Sequence, residues 1–280
     1  MKTLTRFQII IRLCKLVSFI LLIMLSLSVT VKTYAQEPQP VIGMAMYNLT
    51  QVTDTNNKGS LFRERWILYI GANAAMFQSY DKLVRDSIIL GKMKSPSTPL
   101  STAGFGKVNH TIFYFFENGS KHFRKEQIFS NYVFPLERPN YNWKVQAEKK
   151  VISGLTCQKA TGYWKGRSYT AWFTPDLLFK YGPWNMNGLP GLIIEAYDVK
   201  REVVFEFAGF EKNNDSSKKI AFPTNNLVKL TEREYLQIQK VAREDPLAFT
   251  QTMLGGSVKI EGYNPNRKST FNNPIELDKK

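Results

Sequence analysis

Trp143-Lys144-Val145-Gln146-Ala147-Glu148 alternates apolar and polar residues at every step. A period of two puts Trp143, Val145 and Ala147 on one side of an extended chain and Lys144, Gln146 and Glu148 on the other, which predicts a β-strand with one buried face. The pattern recurs further on: Tyr169, Ala171 and Phe173 oppose Thr170, Trp172 and Thr174, and Val203, Phe205 and Phe207 line one side of the run from Glu202 to Phe210. Strands with one wet face are the material of antiparallel sheets.

Turn chemistry sets the neighbours. Asn118-Gly119 stands between two apolar runs, and a primed two-residue turn needs a positive φ at both central positions, which this pair tolerates. Phe115 then faces His122 and Tyr114 faces Phe123. His110 and His122, the two histidines of the chain, fall roughly 16 Å apart along that ladder, too far for a shared metal ion. Lys165-Gly166 predicts a second tight turn, and Asp198 to Arg201 a third, each joining sequential antiparallel strands.

Two helices are expected late. Thr231-Glu232-Arg233-Glu234 fits a capping box, with Tyr235, Ile238 and Ala242 as the inward stripe. Asp245-Pro246 starts the second, with proline where no N–H is needed; Leu247, Phe249 and Leu254 supply its apolar side until Gly255-Gly256 ends it. Gly91 to Gly106 reads as a long loop. From Tyr263 onward the chain is rich in Asn, Pro and Lys, with little to bury, and reads as a flexible tail over 263–280. The fold class is therefore α+β: a curved, mainly antiparallel β-sheet or partly open barrel of about eight to ten strands, with two C-terminal helices packed on it.

The opening residues carry Lys2, Arg6, Arg12 and Lys15 without an acid, followed by an apolar run from Leu16 to Val29 and the small-residue end Thr33-Tyr34-Ala35. This is the pattern of a cleavable export signal over 1–35, giving a mature chain that begins at Gln36. The run is shorter than a spanning helix requires and contains serines, which sets it apart from an anchor. Cys14 precedes the run instead of closing it, so a lipoprotein signal is not indicated. Five basic groups leave with the signal, and the net charge falls from +15 to +10. One β-rich domain is expected over 36–262, of a size that supports a core without disulfides. Cys157 is the single cysteine of the mature chain, and it is expected to be buried as a small hydrophobe. Bases and aromatics interleave at Phe113 to Phe129 and at Tyr163 to Phe173, yet export argues against nucleic acid as a partner, and the charge reads as a basic, solvated exterior.

The run from Gly182 to Ile193, Gly-Pro-Trp-Asn-Met-Asn-Gly-Leu-Pro-Gly-Leu-Ile, is the least ordinary in the chain. Pro190-Gly191 suits the central positions of a type II turn. A phosphate cradle is a poor fit, because no Lys-Ser/Thr pair follows and the next segment reads as strand. This stretch resembles the GLPGLI family of exported bacterial envelope proteins, whose name spells Gly188 to Ile193. Trp143, Gly154, Cys157, Lys159-Ala160, Gly166-Arg167, Ala171 to Thr174, Gly182-Pro183-Trp184 and Asp198 are similar to the family as well, and Ser79 to Asp86 echoes a family segment. The resemblance implies export and brings no established activity, substrate or cofactor.

No catalytic residue, metal site or cofactor is assigned. A Cys157 nucleophile with His110 or His122 as its base has no sequential support, and Glu195 with Asp198 reads equally as acid–base pair or strand rim. The candidate binding residues are Arg167, Trp172, Gly182, Pro183, Trp184, Gly188, Leu189, Pro190 and Gly191. Arg167 beside the indoles of Trp172 and Trp184 would hold an anionic or aromatic group, and the loop from Gly182 to Gly191 would form a contact rim. The reading is an exported, non-catalytic binding or accessory protein, its partner an outer-membrane or other envelope protein. Two alternatives stand beside it: a periplasmic carrier of an apolar or lipid-like ligand, and an envelope hydrolase with an unrecognised site.

Overall fold

The structure, a computed structural model, describes residues 37–93, 111–116, 121–127, 130–254 and 270–277. The export signal, its cleavage point, His110, Asn118-Gly119 and Gly255-Gly256 lie outside them, as do residues 94–106 of the expected loop.

In chain order the elements are β1 (Gln39–Pro40), β2 (Gly43–Asp54), β3 (Asn57–Ile70), β4 (Ala74–Ser79), α1 (Tyr80–Met93), β5 (Ile112–Phe116), β6 (Lys121–Gln127), β7 (Asn131–Leu136) and β8 (Lys144–Ile152). There follow β9 (Leu155–Trp164), β10 (Arg167–Thr174), β11 (Leu192–Asp198), β12 (Val203–Lys212), β13 (Lys219–Ile220), β14 (Leu227–Lys229), α2 (Glu232–Glu244) and α3 (Pro246–Leu254). Twelve strands form one sheet in the order β14-β7-β6-β5-β4-β3-β2-β12-β11-β10-β9-β8, and β1 pairs with β13. The order has two ends, so the sheet is open, and its pairs are antiparallel apart from β14 on β7. The α+β class and the curved antiparallel sheet stand.

The strand number exceeds the eight to ten expected. In β2 the first half is buried on both faces, which erases the alternation that reveals a strand, while β13 and β14 are only two and three residues long.

Local chemistry explains the register. Phe115 pairs with His122 and Tyr114 with Phe123, as a two-residue turn at 118–119 requires. Lys165 and Gly166 have φ of 39° and 83°, and Arg167 faces Trp164 across the turn. Between β11 and β12, Arg201 N–H donates to the Asp198 carbonyl at 2.8 Å.

The opening strand is misread in one respect. Val145 is 48 % exposed, Val151 is 70 % exposed, and Ala147 is exposed as well. The strand β8 is the last in the sheet, and its register breaks between Val145 and Lys149, so alternation there marks two sides without a core against either. Trp143 precedes the strand and stacks on Tyr141, rings 4.7 Å apart and 6° from parallel. In β10 and β12 the expected inward residues Tyr169, Ala171, Phe173, Val203 and Phe205 are buried and Phe207 is half-buried. Trp172, Thr174 and Val204 opposite them are buried too, so the second face is not wet throughout.

The main core is built from one face of β2 to β5, from Leu136 of β7 and from β9 to β12, and it includes the connection between β10 and β11. On the other face Val41, Met44, Ile67, Tyr114 and Phe116 pack with Tyr80 and Leu83 of α1 and with Ile220 and Phe222. That helix is absent from the sequence reading, although Ser79 Oγ accepts the Lys82 N–H at 3.0 Å in the manner of a cap.

The capping box of α2 is present in both directions between Thr231 and Glu234, and α3 begins at Pro246. Tyr235 and Ile238 pack on Tyr132 and Phe134 of β7. Among the described residues no helix is long and apolar enough to cross a membrane.

Candidate functional site

The connection from β10 to β11 carries most of the candidate residues, and it lies inside the protein. Gly182, Pro183, Trp184, Asn185, Met186, Asn187, Leu189 and Gly191 are buried, while Gly188 and Pro190 are exposed. The contact rim expected of this loop is thus corrected: its aromatic and apolar side chains are part of the main core. Trp184 stands edge-on to Phe113 at 4.7 Å and to Trp66 at 5.5 Å.

Its turns differ from the type II turn expected. Gly191 N–H donates to the Leu189 carbonyl at 2.9 Å, a three-residue turn centred on Pro190. Glycine is needed at 191 for close approach, because a Cβ there would fall 2.1 Å from the Thr174 carbonyl oxygen. Upstream, Met186 N–H reaches the Pro183 carbonyl at 3.1 Å, and Trp184 takes a φ of 58°, a costly conformation for a bulky residue that surrounding contacts must hold.

Those contacts come from the far end of the chain. Glu276 Oε1 accepts from Trp184 Nε1 and Asn185 Nδ2, each at 3.0 Å. Glu276 Oε2 accepts from Arg124 at 3.0 Å and Lys165 at 3.2 Å. Burial opposes ionisation of Glu276, but Arg124, Lys165 and the indole donor outweigh it and hold the carboxyl below its ordinary range. Burial likewise works against the Lys165 charge, and Glu276 and Glu232 outweigh it, so that its ammonium is held above the usual lysine value. Lys165 also pairs with Glu232 at the start of α2, and Asn185 Oδ1 accepts the Tyr141 hydroxyl.

Arg167, only 4 % exposed, grips the residues just before. Its Nε donates to the Ile275 carbonyl at 2.9 Å and its Nη2 to the Pro274 carbonyl at 2.7 Å and to Asn273 Oδ1. Its Nη1 meets Asp198 Oδ2 at 2.8 Å. Asp198 Oδ1 in turn accepts the N–H groups of Glu202 and Val203 at 2.7 and 2.9 Å. Gln51 Nε2 donates to the Asn273 carbonyl at 2.6 Å, and Asn273 Nδ2 donates to the Val52 carbonyl and to Glu202. Asn272 joins the turn between β2 and β3 through Thr53, Asp54 and Thr55, and Leu277 N–H donates to the Lys165 carbonyl at 2.9 Å. Ile275 is 6 % exposed and belongs to the main core. The expectation that the chain beyond Tyr263 has little to bury therefore fails for residues 270–277: a single apolar side chain flanked by Asn273 and Glu276 anchors them.

Arg167 and Trp184 thus act on one segment, while Trp172 does not share it. Trp172 lies five residues beyond Arg167 on a strand, hence on the opposite face. The cations over its ring are Lys150 at 4.4 Å and Lys159 at 5.8 Å, and over Trp184 it is Arg124 at 5.8 Å. Glu195 pairs with Lys150 and Asp198 with Arg167, which separates the two carboxylates into different ion pairs. Cys157 is fully buried, and burial pushes its thiol up to about 11, as packing implies.

Two sets of donors hold residues 272–277: an anion socket made by Arg124, Lys165, Trp184 and Asn185, and the Arg167 fork on main-chain carbonyls. The segment they hold bends at Ile275 and Glu276 and carries one acid. Sequence reasoning missed Arg124, Lys165, Asn185, Asn273 and Glu276. The signal available was Ile275-Glu276-Leu277, an apolar-acid-apolar triplet inside a polar stretch. Among the described residues no three His, Cys, Asp or Glu side chains are grouped to hold a metal ion.

No family model matches the sequence, and no curated protein matches it either. Among solved structures the chain is similar to PNGF-II in two crystal forms. The TM-scores are 0.48 and 0.47 at 14 % and 13 % identity, and 72 % of this chain is covered in both. The chain spans about a third of the length of PNGF-II, with 34 % and 33 % of that chain covered.

Proposed function

We propose that this chain is an exported cell-envelope protein of the kind its Gly188–Ile193 run resembles, acting by binding and not by catalysis. Its recognition surface is the groove now filled by Asn272–Leu277, and its partner is another envelope protein presenting a short segment with a carboxylate placed like that of Glu276. The observation that supports this is the Glu276 carboxylate, taken by four donors at 3.0 to 3.2 Å while Arg167 reads the carbonyls beside it. Fixed donors aimed at a carboxylate and at main-chain oxygens are the chemistry of peptide recognition. The face a carrier would use is filled by Tyr181, Trp184, Met186 and Leu189, which favours binding of a segment over enclosure of an apolar ligand.

The test uses the full chain with Glu276→Gln, which weakens the resident segment, and a fluorescent peptide Asn-Asn-Pro-Ile-Glu-Leu. Saturable binding, about tenfold weaker when the peptide carries Gln in place of Glu, is expected for a charge-assisted contact. Binding no stronger than that of a scrambled peptide would end the reading. Export is checked separately by the N-terminus of protein recovered from the envelope, expected at Gln36.

A further inference from the structure

The acceptor side of the groove and the segment it holds are separate pieces of chain. The groups that receive the segment are Gln51 to Thr55, Arg124, Lys165, Arg167, Trp184, Asn185 and Glu202, and they meet residues 272–277 across 71 to 222 positions of sequence. Residues 255–269 connect the segment to α3. Fifteen residues span at most about 50 Å when extended, against a radius of gyration of roughly 18 Å for a domain of this size. That length suffices to seat the segment on its own domain or on a neighbour.

We propose that the groove also accepts Asn272–Leu277 of a second copy of this chain, so that two copies exchange these segments reciprocally and form a dimer. The inference rests on the groove being a recognition surface, and it names the occupant whose fit is already visible. The carboxylate of Glu276 suits the socket of Arg124 and Lys165, Ile275 suits the core beneath it, and the carbonyls of Pro274 and Ile275 suit the Arg167 fork. A two-fold exchange keeps every one of these contacts in both copies and leaves no groove empty. The closed monomer and the exchanged dimer then differ chiefly in the entropy of association, so the balance between them depends on concentration.

Thr55 and Asn272 provide the test, because both are exposed and their side-chain oxygens lie 3.1 Å apart. Three full-length chains are made, all with Cys14→Ser: Thr55→Cys, Asn272→Cys, and the two substitutions together. Cys157 is buried and takes no part. The single variants, one bearing a mass tag, are mixed, unfolded and refolded together, then oxidised. The expected result is a disulfide-linked pair of unlike chains on non-reducing electrophoresis, rising severalfold with protein concentration, while the dilute double variant closes within one chain. If the double variant closes and the mixture gives no unlike pair at any concentration, exchange is refuted and the groove reading survives. If the double variant fails to close, the segment does not occupy the groove, and both ideas fall.

Discussion

Trp184 Nε1 donates to Glu276 Oε1 at 3.0 Å across 92 residues of sequence, joining the least ordinary loop of the chain to its far end. Glu276→Ala removes the acceptor of that bond and leaves Arg124, Lys165 and the indole N–H without their shared carboxylate. Stripping one member from a buried ion cluster costs about 3–5 kcal/mol, and with Lys165 partly exposed about 2–4 kcal/mol is expected here. Equilibrium unfolding in urea reads it as a lower midpoint at unchanged slope; a change under about 0.5 kcal/mol would show that the socket contributes nothing to stability.

Acid should reach the same group. The folded-state pKa of Glu276 lies below its ordinary 4.5, so the unfolded chain takes up a proton first. The stability this carboxylate contributes is complete above that ordinary value and drains away as pH falls through the lower folded one. Between about pH 6 and about pH 3 the unfolding midpoint of the wild type should fall more steeply than that of Glu276→Gln. Parallel profiles would contradict the assignment.

Arg167 is expected to resist even conservative replacement. Arg167→Ala leaves Asp198 and the carbonyls of Pro274 and Ile275 short of a donor in a largely buried site, costing about 3–5 kcal/mol. Lysine presents no planar fork, and Arg167→Lys should recover less than half of that loss in a thermal melt. Limited proteolysis should cut Arg167→Ala between residues 255 and 277 faster than the wild type.

Two glycines of the same loop should behave differently. A Cβ at Gly191 meets the Thr174 carbonyl oxygen at 2.1 Å, whereas one at Gly188 meets open space. Gly191→Ala must move backbone and is expected to cost about 3 kcal/mol or more. Gly188→Ala faces only its φ of 92°, worth about 1 kcal/mol. Equal losses would mean the loop yields freely at Thr174.

The edge strand gives a contrast. Val145→Thr, on an exposed face, should change stability by less than about 0.5 kcal/mol, while Ala171→Thr, fully buried in β10, should cost several times as much. Matching effects in chemical denaturation would restore the inward face first read for Val145.

What the sequence revealed followed from local rules. The register of Phe115 against His122 depends on one turn, and the Thr231–Glu234 box depends on four residues, so both could be read without tertiary knowledge. The side that Val145 faces depends on which strand lies at the edge, and alternation carries no such information. Arg167 and Trp184 stood out as residue types able to hold an anion, yet they hold different ones: Asp198 meets Arg167, and Glu276 meets Trp184 from 92 positions away. Averaging composition over 263–280 hid Ile275, one apolar residue whose burial outweighs its polar surroundings.

The order of synthesis adds a last consequence. Asn272–Leu277 leave the ribosome after every group they touch, and until then Trp184 Nε1 and Asn185 Nδ2 lack the carboxylate they share, while Arg167 has Asp198 alone. A nascent chain therefore lacks the link between Lys165 and the loop around Trp184 until residues 272–277 have been made.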